Sequence, residues 1–525
     1  MGGCAGLVEC AGGQRGVSSG RPALAGAGRG HRGGLGHRFP AAHRLTDCLK
    51  RRTPAMALDI VRAYRTVHTW TGILTGLALF IAFFAGALTV FKDPLTRWAS
   101  PPTARPPLVL EQGPSLVART LAAAPAAAAE FTLHLGKGEA VPGPLEWRVT
   151  PGAAPGDEPP HDSLGQRHYV AHLDEAGSLK IEEVAPSKLA EFIDVLHRVV
   201  GLPVDTDLSR WIMGVVAGLY ALALLSGVIL ILPTLVRDLF ALRPEGPIRR
   251  FWRDSHNLVG LLSLPFHLVM ALTATVFAFH DQIYDLQDAL IHDGRLAALW
   301  HPPAPPLSDL RPLDPARLHP PADLVAQARG LSPSFEPTHL QYLGLTGPRP
   351  VVRVWGQDPQ GIASRALGGF VAFNPYSGAV LTTEYLPGHQ SAAQTTISSF
   401  FALHFGSYGG TPVKVMTFVL GLAGAWLFYS GNLLWIEARR KRQGRDVRIL
   451  ANLTVGVCLG CLCGIAATMG AAKWLQGGGR ISPSGMRVFI TRCFLGAWPG
   501  RFGGAPSGPV VICWGWALFW RRRCL

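Results

Sequence analysis

Hydrophobic positions along the chain gather into five long runs, and polar positions into the stretches between them. The runs cover roughly 70–91, 211–236, 257–279, 413–436 and 451–474. Each is long enough to cross a bilayer as a helix, which takes about 20 apolar residues. Two long polar stretches, 92–208 and 280–411, separate them, together with two short ones, 237–256 and 437–450. Each long stretch opens on a Pro-rich spacer and later shows a strand, turn, strand pattern. In the first, Arg167 to Leu173 is followed by a turn at Asp174–Gly177 and by Ser178 to Ile181. In the second, Gly369 to Phe373 is followed by Asn374–Pro375–Tyr376–Ser377–Gly378 and by Ala379 to Thr382. Proline early in the turn and glycine closing it make the second hairpin the clearer one. The pattern predicts a polytopic helical core with two small α+β regions outside it, a weak internal repeat.

The charge sharpens this picture. The 525 residues carry a net charge of +15, and only 16% of them are charged, against roughly 25% in an average soluble protein. A basic balance of this size invites a nucleic-acid reading. Its distribution argues against one: residues 1–55 and 477–525 each net +7, leaving the body almost neutral. Within the body, the short loop 237–256 holds five arginines and the loop 437–450 holds six basic residues, while Arg62 and Arg65 precede the first run. Basic short loops belong on the cytoplasmic side. The body then starts inside, and both long stretches face outward, which in a bacterium means the periplasm. The head, 1–55, has 13 glycines and no apolar run. It reads as a disordered Gly/Arg-rich leader, with Met56 as a natural beginning. The tail, 477–525, has an apolar run of only about 12 residues, below spanning length.

Histidines are the candidate chemistry. Of the 18, His68, His197, His256, His267, His280 and His404 lie in or beside the apolar runs. Ionisable groups inside a membrane are costly and mark a function or a partner. His256 and His267 are 11 residues apart, about 20° from the same face of a straight helix and about 16 Å along its axis. Two ligands at two depths are what a helix needs to serve two stacked haems, each completed from another helix. His68 has the depth to pair with His256, and His197 or His404 could serve the outer site with His267. Imidazole suits iron, and two imidazoles per haem favour electron transfer.

Other signals are weaker. Cys458, Cys461 and Cys463 in the fifth run read as packing rather than as ligands. Trp70, Trp211 and Trp435 read as interface anchors. Neither Cys-x-x-Cys-His nor a Walker A sequence occurs, so covalent haem attachment and a phosphate loop are unsupported.

Several segments together resemble one family. These are Arg65–Gly72 entering the first run, Leu196–His197–Arg198, Arg253–Gly260 with Pro265 and His267, Phe373–Gly378, Leu403–Gly406, and Ser430–Trp435 before a basic stretch. The set is similar to the PepSY-associated transmembrane proteins, also called iron-regulated membrane proteins, which include inner-membrane siderophore-iron reductases. The resemblance covers about 56–450. It implies an all-α four-helix core, here with a fifth span, and two PepSY-like periplasmic domains. The segments would be spans at 56–91, 209–280, 412–450 and 451–476, with PepSY-like regions at 92–208 and 281–411. It implies b-type haem, two per chain, bound through iron by His68, His197, His256, His267 and His404. The implied function is electron transfer across a bacterial inner membrane to ferric iron in a periplasmic siderophore chelate during iron uptake. The partners would be membrane lipid, the ferric chelate and an unidentified electron donor, with no nucleic acid. The alternative is a non-enzymatic PepSY membrane protein that binds a peptidase or an uptake component.

Overall fold

The computed structural model describes residues 40–474, apart from 102–104, 106, 137–142, 153–161, 203–204, 236–246, 296–312, 359–367 and 443. Four helices in this range are long and apolar enough to span a membrane: Asp59–Thr89, Asp207–Thr234, Gly410–Ala438 and Arg445–Trp474. The broken pair Ile248–Leu262 and Leu264–Ala278, bent by 70°, makes a fifth where the two helices are taken as one span. These are spans one, two, four, five and three, in that order, and they match the five predicted runs. The second span exposes Leu208, Trp211, Val215, Leu222, Leu225 and Ile229, the apolar flank that a lipid-facing helix presents.

Two local expectations change. The first helix begins at Pro40, so residues 40–55 are helical rather than structureless. The glycines of the head end at Gly36, and residues 40–55 are rich in alanine, leucine and basic residues that favour helix. Residues 1–39 and 477–525 lie outside the described residues. The third span is not straight either. Pro265 has no N–H to offer the carbonyl of Leu261, and its ring crowds that carbonyl. The helix stops at Leu262 and restarts at Leu264.

The two polar stretches do not form separate sheets. Strands β1 (Glu130–His134), β2 (Leu145–Val149), β3 (Arg167–Leu173) and β4 (Leu179–Val184) come from the first. Strands β5 (Glu336–Leu343), β6 (Val351–Gln357), β7 (Gly369–Phe373) and β8 (Val380–Thr382) come from the second. They make one antiparallel sheet of eight strands in the order β4-β3-β2-β1-β5-β6-β7-β8. The join is β1 against β5, with Phe131 opposite Tyr342 and His134 opposite His339. The sequence predicts two small domains, and one continuous sheet is found. The cause is apolar burial: Phe131 and Tyr342 stack at 4.6 Å inside one core that also takes Leu116, Leu324, Val354 and Phe373. Helices Gly113–Ala123 and Pro321–Leu331 contribute residues to that core from outside the sheet. Both predicted hairpins form. Asn374 Oδ1 accepts from the amides of Tyr376 and Ser377, and Gly378 sits at φ 69°. In the first, Asp174 Oδ1 accepts from Ser178 N, and Gly177 sits at φ 74°.

The repeat is deeper than the hairpins suggest. Each half runs span, helix, four strands, helix, span. Helices Leu189–Arg198 and Ala392–Phe405 are therefore counterparts, each leading from the sheet back to a span.

The sheet also carries a buried histidine, His168, and a half-buried one, His339. Burial, then the charges of Lys188 and Arg148, pull the His168 imidazole down to about 4. Burial, then the charge of His134, does the same to His339. Above a pH of about 6.5 both rings are neutral in the folded and the unfolded chain. As pH falls from there towards 4, the unfolded chain takes up protons first, and stability is lost. Denaturant unfolding should show lower stability at about pH 4.5 than at about pH 7, by on the order of 1–2 kcal/mol per ring. His168→Gln should reduce that difference, and an equal pH loss in the variant would contradict the assignment.

Candidate functional site

Two pairs of histidine rings meet inside the helical bundle. His68 of span one faces His256 of span three with ring centres 6.3 Å apart. His197 and His404 stand with ring centres 6.1 Å apart. Each of these two closes one of the counterpart helices after the sheet. Two imidazoles bound on opposite sides of one metal, at about 2 Å per bond, would have ring centres roughly 6 Å apart.

Local structure explains the outer pair. The helix bearing His197 ends in a left-handed turn, with Val200 at φ 49° and Gly201 at φ 84°, and Gly201 N donates to Leu196 O. Asp205 then accepts from both Arg198 and Arg210, which ties this turn to the start of span two. The helix bearing His404 ends at Gly406, φ 59°, whose amide donates to Ala402 O. A β-carbon on Gly406 would also meet Thr417 Oγ1 at 2.5 Å. Both outer rings are thus held in the last turn of a helix that cannot continue.

All four rings are anchored through Nδ1. His68 donates to Ala223 O at 2.8 Å, and His197 to Ala82 O at 2.8 Å. His256 donates to Leu427 O at 3.1 Å. A carbonyl can only accept, so in these three the proton is on Nδ1. His404 Nδ1 lies 2.8 Å from Thr273 Oγ1. That hydroxyl donates to Val269 O, so it accepts from the ring. Nε2 of each ring then carries a lone pair and has no hydrogen-bond partner among the described residues. This is the state in which imidazole binds a metal, with the second nitrogen fixing its orientation.

Glycines give the rings room. A β-carbon on Gly227 would lie 2.8 Å from His68 Cε1, one on Gly431 3.3 Å from His256 Cε1, and one on Gly86 2.7 Å from His197 Nδ1. The inner anchors repeat between halves. Ala223, Ser226 and Gly227 in span two serve His68 as Leu427, Ser430 and Gly431 in span four serve His256. Sequence reasoning misses Ser226–Gly227; setting the two halves side by side would show it.

The depths differ. On span one, position 68 carries a ring of the inner pair and position 82 anchors a ring of the outer pair. Those 14 residues are about 21 Å of helix. The inner pair borders a cavity of about 1090 Å³, whose lining includes His68, His256, Tyr220 and Phe428.

His267 stands apart from both pairs. It is fully buried, its Nδ1 is 2.5 Å from Tyr220 Oη, and its Nε2 has no partner among the described residues. It packs on the rings of Phe83, Phe266 and Phe428. The shared face expected for His256 and His267 requires a straight helix, and the break at Pro265 removes it. His280 is half-exposed beside Asp281. Cys458 and Cys461 are buried in an apolar cluster with Phe192 and Ile193, as packing residues are. Among the described residues, no group of three or more His, Cys, Asp or Glu converges as a bare-ion site.

The family description PepSY-associated TM region matches residues 65–438, and the chain belongs to that family. Among curated proteins none matches it.

Proposed function

We propose that this chain is a haem-binding electron-transfer protein of a bacterial inner membrane that reduces ferric iron held in a siderophore-type chelate on the sheet side. The observation that carries the reading is the two imidazole pairs at two depths of one bundle, each ring with Nδ1 satisfied and Nε2 free. His68 with His256, and His197 with His404, would each hold one b-type haem. A haem with imidazole on both faces supplies one-electron transfer rather than oxygen chemistry. The protein's own part is orientation and exclusion. Backbone carbonyls fix the ring tautomers, glycines open flat space beside the rings, and Phe83, Phe277 and Phe428 make the walls apolar. His267, buried against Tyr220, belongs to those walls.

Ferric iron suits hard oxygen chelators, and ferrous iron suits them less well. Delivery of one electron to the chelated Fe(III) gives Fe(II), which leaves more readily. Two depths place one pair towards the basic loops and the other towards the sheet, the arrangement that transfer across the membrane requires. Mixing the chemically reduced protein with a ferric hydroxamate chelate and a ferrous-specific dye should reoxidise the protein, with one dye complex formed per electron lost. A reduced protein that stays reduced in the presence of the chelate would contradict the substrate assignment. In that case the sheet would be better read as a partner-binding module.

A further inference from the structure

The cavity beside the inner histidine pair has two chemically different ends. Its deep part is apolar, with Ile73, Leu264 and Phe428 beside the two rings. Its mouth is lined by Arg65, Arg249, Arg250, Arg253 and Arg439, and among the described residues no Asp or Glu lines it. Arg439 lies over the Trp435 ring at 3.9 Å, and Arg253 bonds to the neighbouring Asp254 at 3.0 Å. Arg65, Arg249 and Arg250 have no acidic partner among the described residues. Positive charge in short loops is needed for topology, but topology does not require five arginines to face one cavity.

Two of them follow the internal repeat. Arg65 stands three residues before His68, and Arg253 three residues before His256. In a helix that is about one turn and 4.5 Å along the axis. Each half therefore supplies one imidazole and, a turn nearer the mouth, one guanidinium. A ligand fitting this cavity has an apolar body that meets both rings and anionic groups at one edge. Carboxylates carried into the apolar end would be costly, whereas guanidinium binds them by two parallel hydrogen bonds.

We propose that Arg65 and Arg253, supported by Arg249 and Arg250, bind the two propionates of the inner haem, so that the group sits with its carboxylate edge towards the basic loops. The inference rests on the reading that His68 and His256 hold a haem, and adds its orientation and the residues that select it. Anionic lipid headgroups carry the same charge and are the competing source.

The test compares haem with its dimethyl ester, in which both propionates are neutral. Full-length apoprotein carrying His197→Ala and His404→Ala, which leaves only the inner pair, is titrated with each and followed by visible absorption. The expected result is binding of the ester weaker by roughly tenfold or more, about one charge-assisted hydrogen bond's worth. Arg65→Gln with Arg253→Gln should weaken haem to the level of the ester and leave the ester unchanged. Equal binding of haem and ester by the protein with its arginines intact would overturn the proposal and give the arginines to lipid. A preference that survives both substitutions would also overturn it. The same titration on the wild-type chain needs no variant to fold. If that chain takes up neither compound, the haem reading itself falls, an outcome distinct from the other two.

Discussion

His256→Ala should cut the haem content of the purified protein by about half. The inner pair loses a ligand, while His197 and His404 keep theirs, because the two pairs draw on separate ring sets and anchors. His68→Ala should do the same, and His256→Ala combined with His404→Ala should leave no hexacoordinate haem. His267→Ala should retain both haems, since its ring contacts are with Phe83, Tyr220, Phe266 and Phe428 and with neither histidine pair. Haem extracted per chain, with circular dichroism confirming fold, decides among these. Loss of one haem in His267→Ala and retention of both in His256→Ala would overturn the pairing.

Phe131→Ala should unfold both halves of the sheet together. Phe131 is 1% exposed and stacked on Tyr342, across the β1–β5 seam between the halves. Truncating a buried aromatic costs about 3–5 kcal/mol, a large share of the roughly 5–15 kcal/mol that holds a domain folded. In hydrogen exchange, peptides from 130–184 and from 336–382 should lose protection to the same extent. If the second half kept its protection while the first lost it, the sheet would be two domains in contact rather than one.

Much of this architecture is readable from the chain. The five apolar runs and both hairpins follow from composition and turn chemistry. The family match agrees with the motifs that suggest it. The pairing of the halves is not readable. The β1–β5 seam joins positions near 130 to positions near 340, and nothing local in either strand names its partner. The outer pair, His197 and His404, comes together through the same distant symmetry. The acceptors that fix the rings, at Ala82, Ala223 and Leu427, are backbone carbonyls, which leave no mark on residue identity. The shared face of His256 and His267 is lost for a nearer reason. Helical arithmetic runs straight through Pro265, where a missing N–H and a crowding ring end one helix and start another.

The central claim is that each imidazole pair holds a haem. The most direct test is the oxidised and dithionite-reduced visible spectrum of the purified full-length protein, with haem quantified per chain after expression with ample haem. The account predicts a reducible low-spin b-type spectrum and two haems per chain, one for each pair. A folded protein with no Soret band in either state would contradict it.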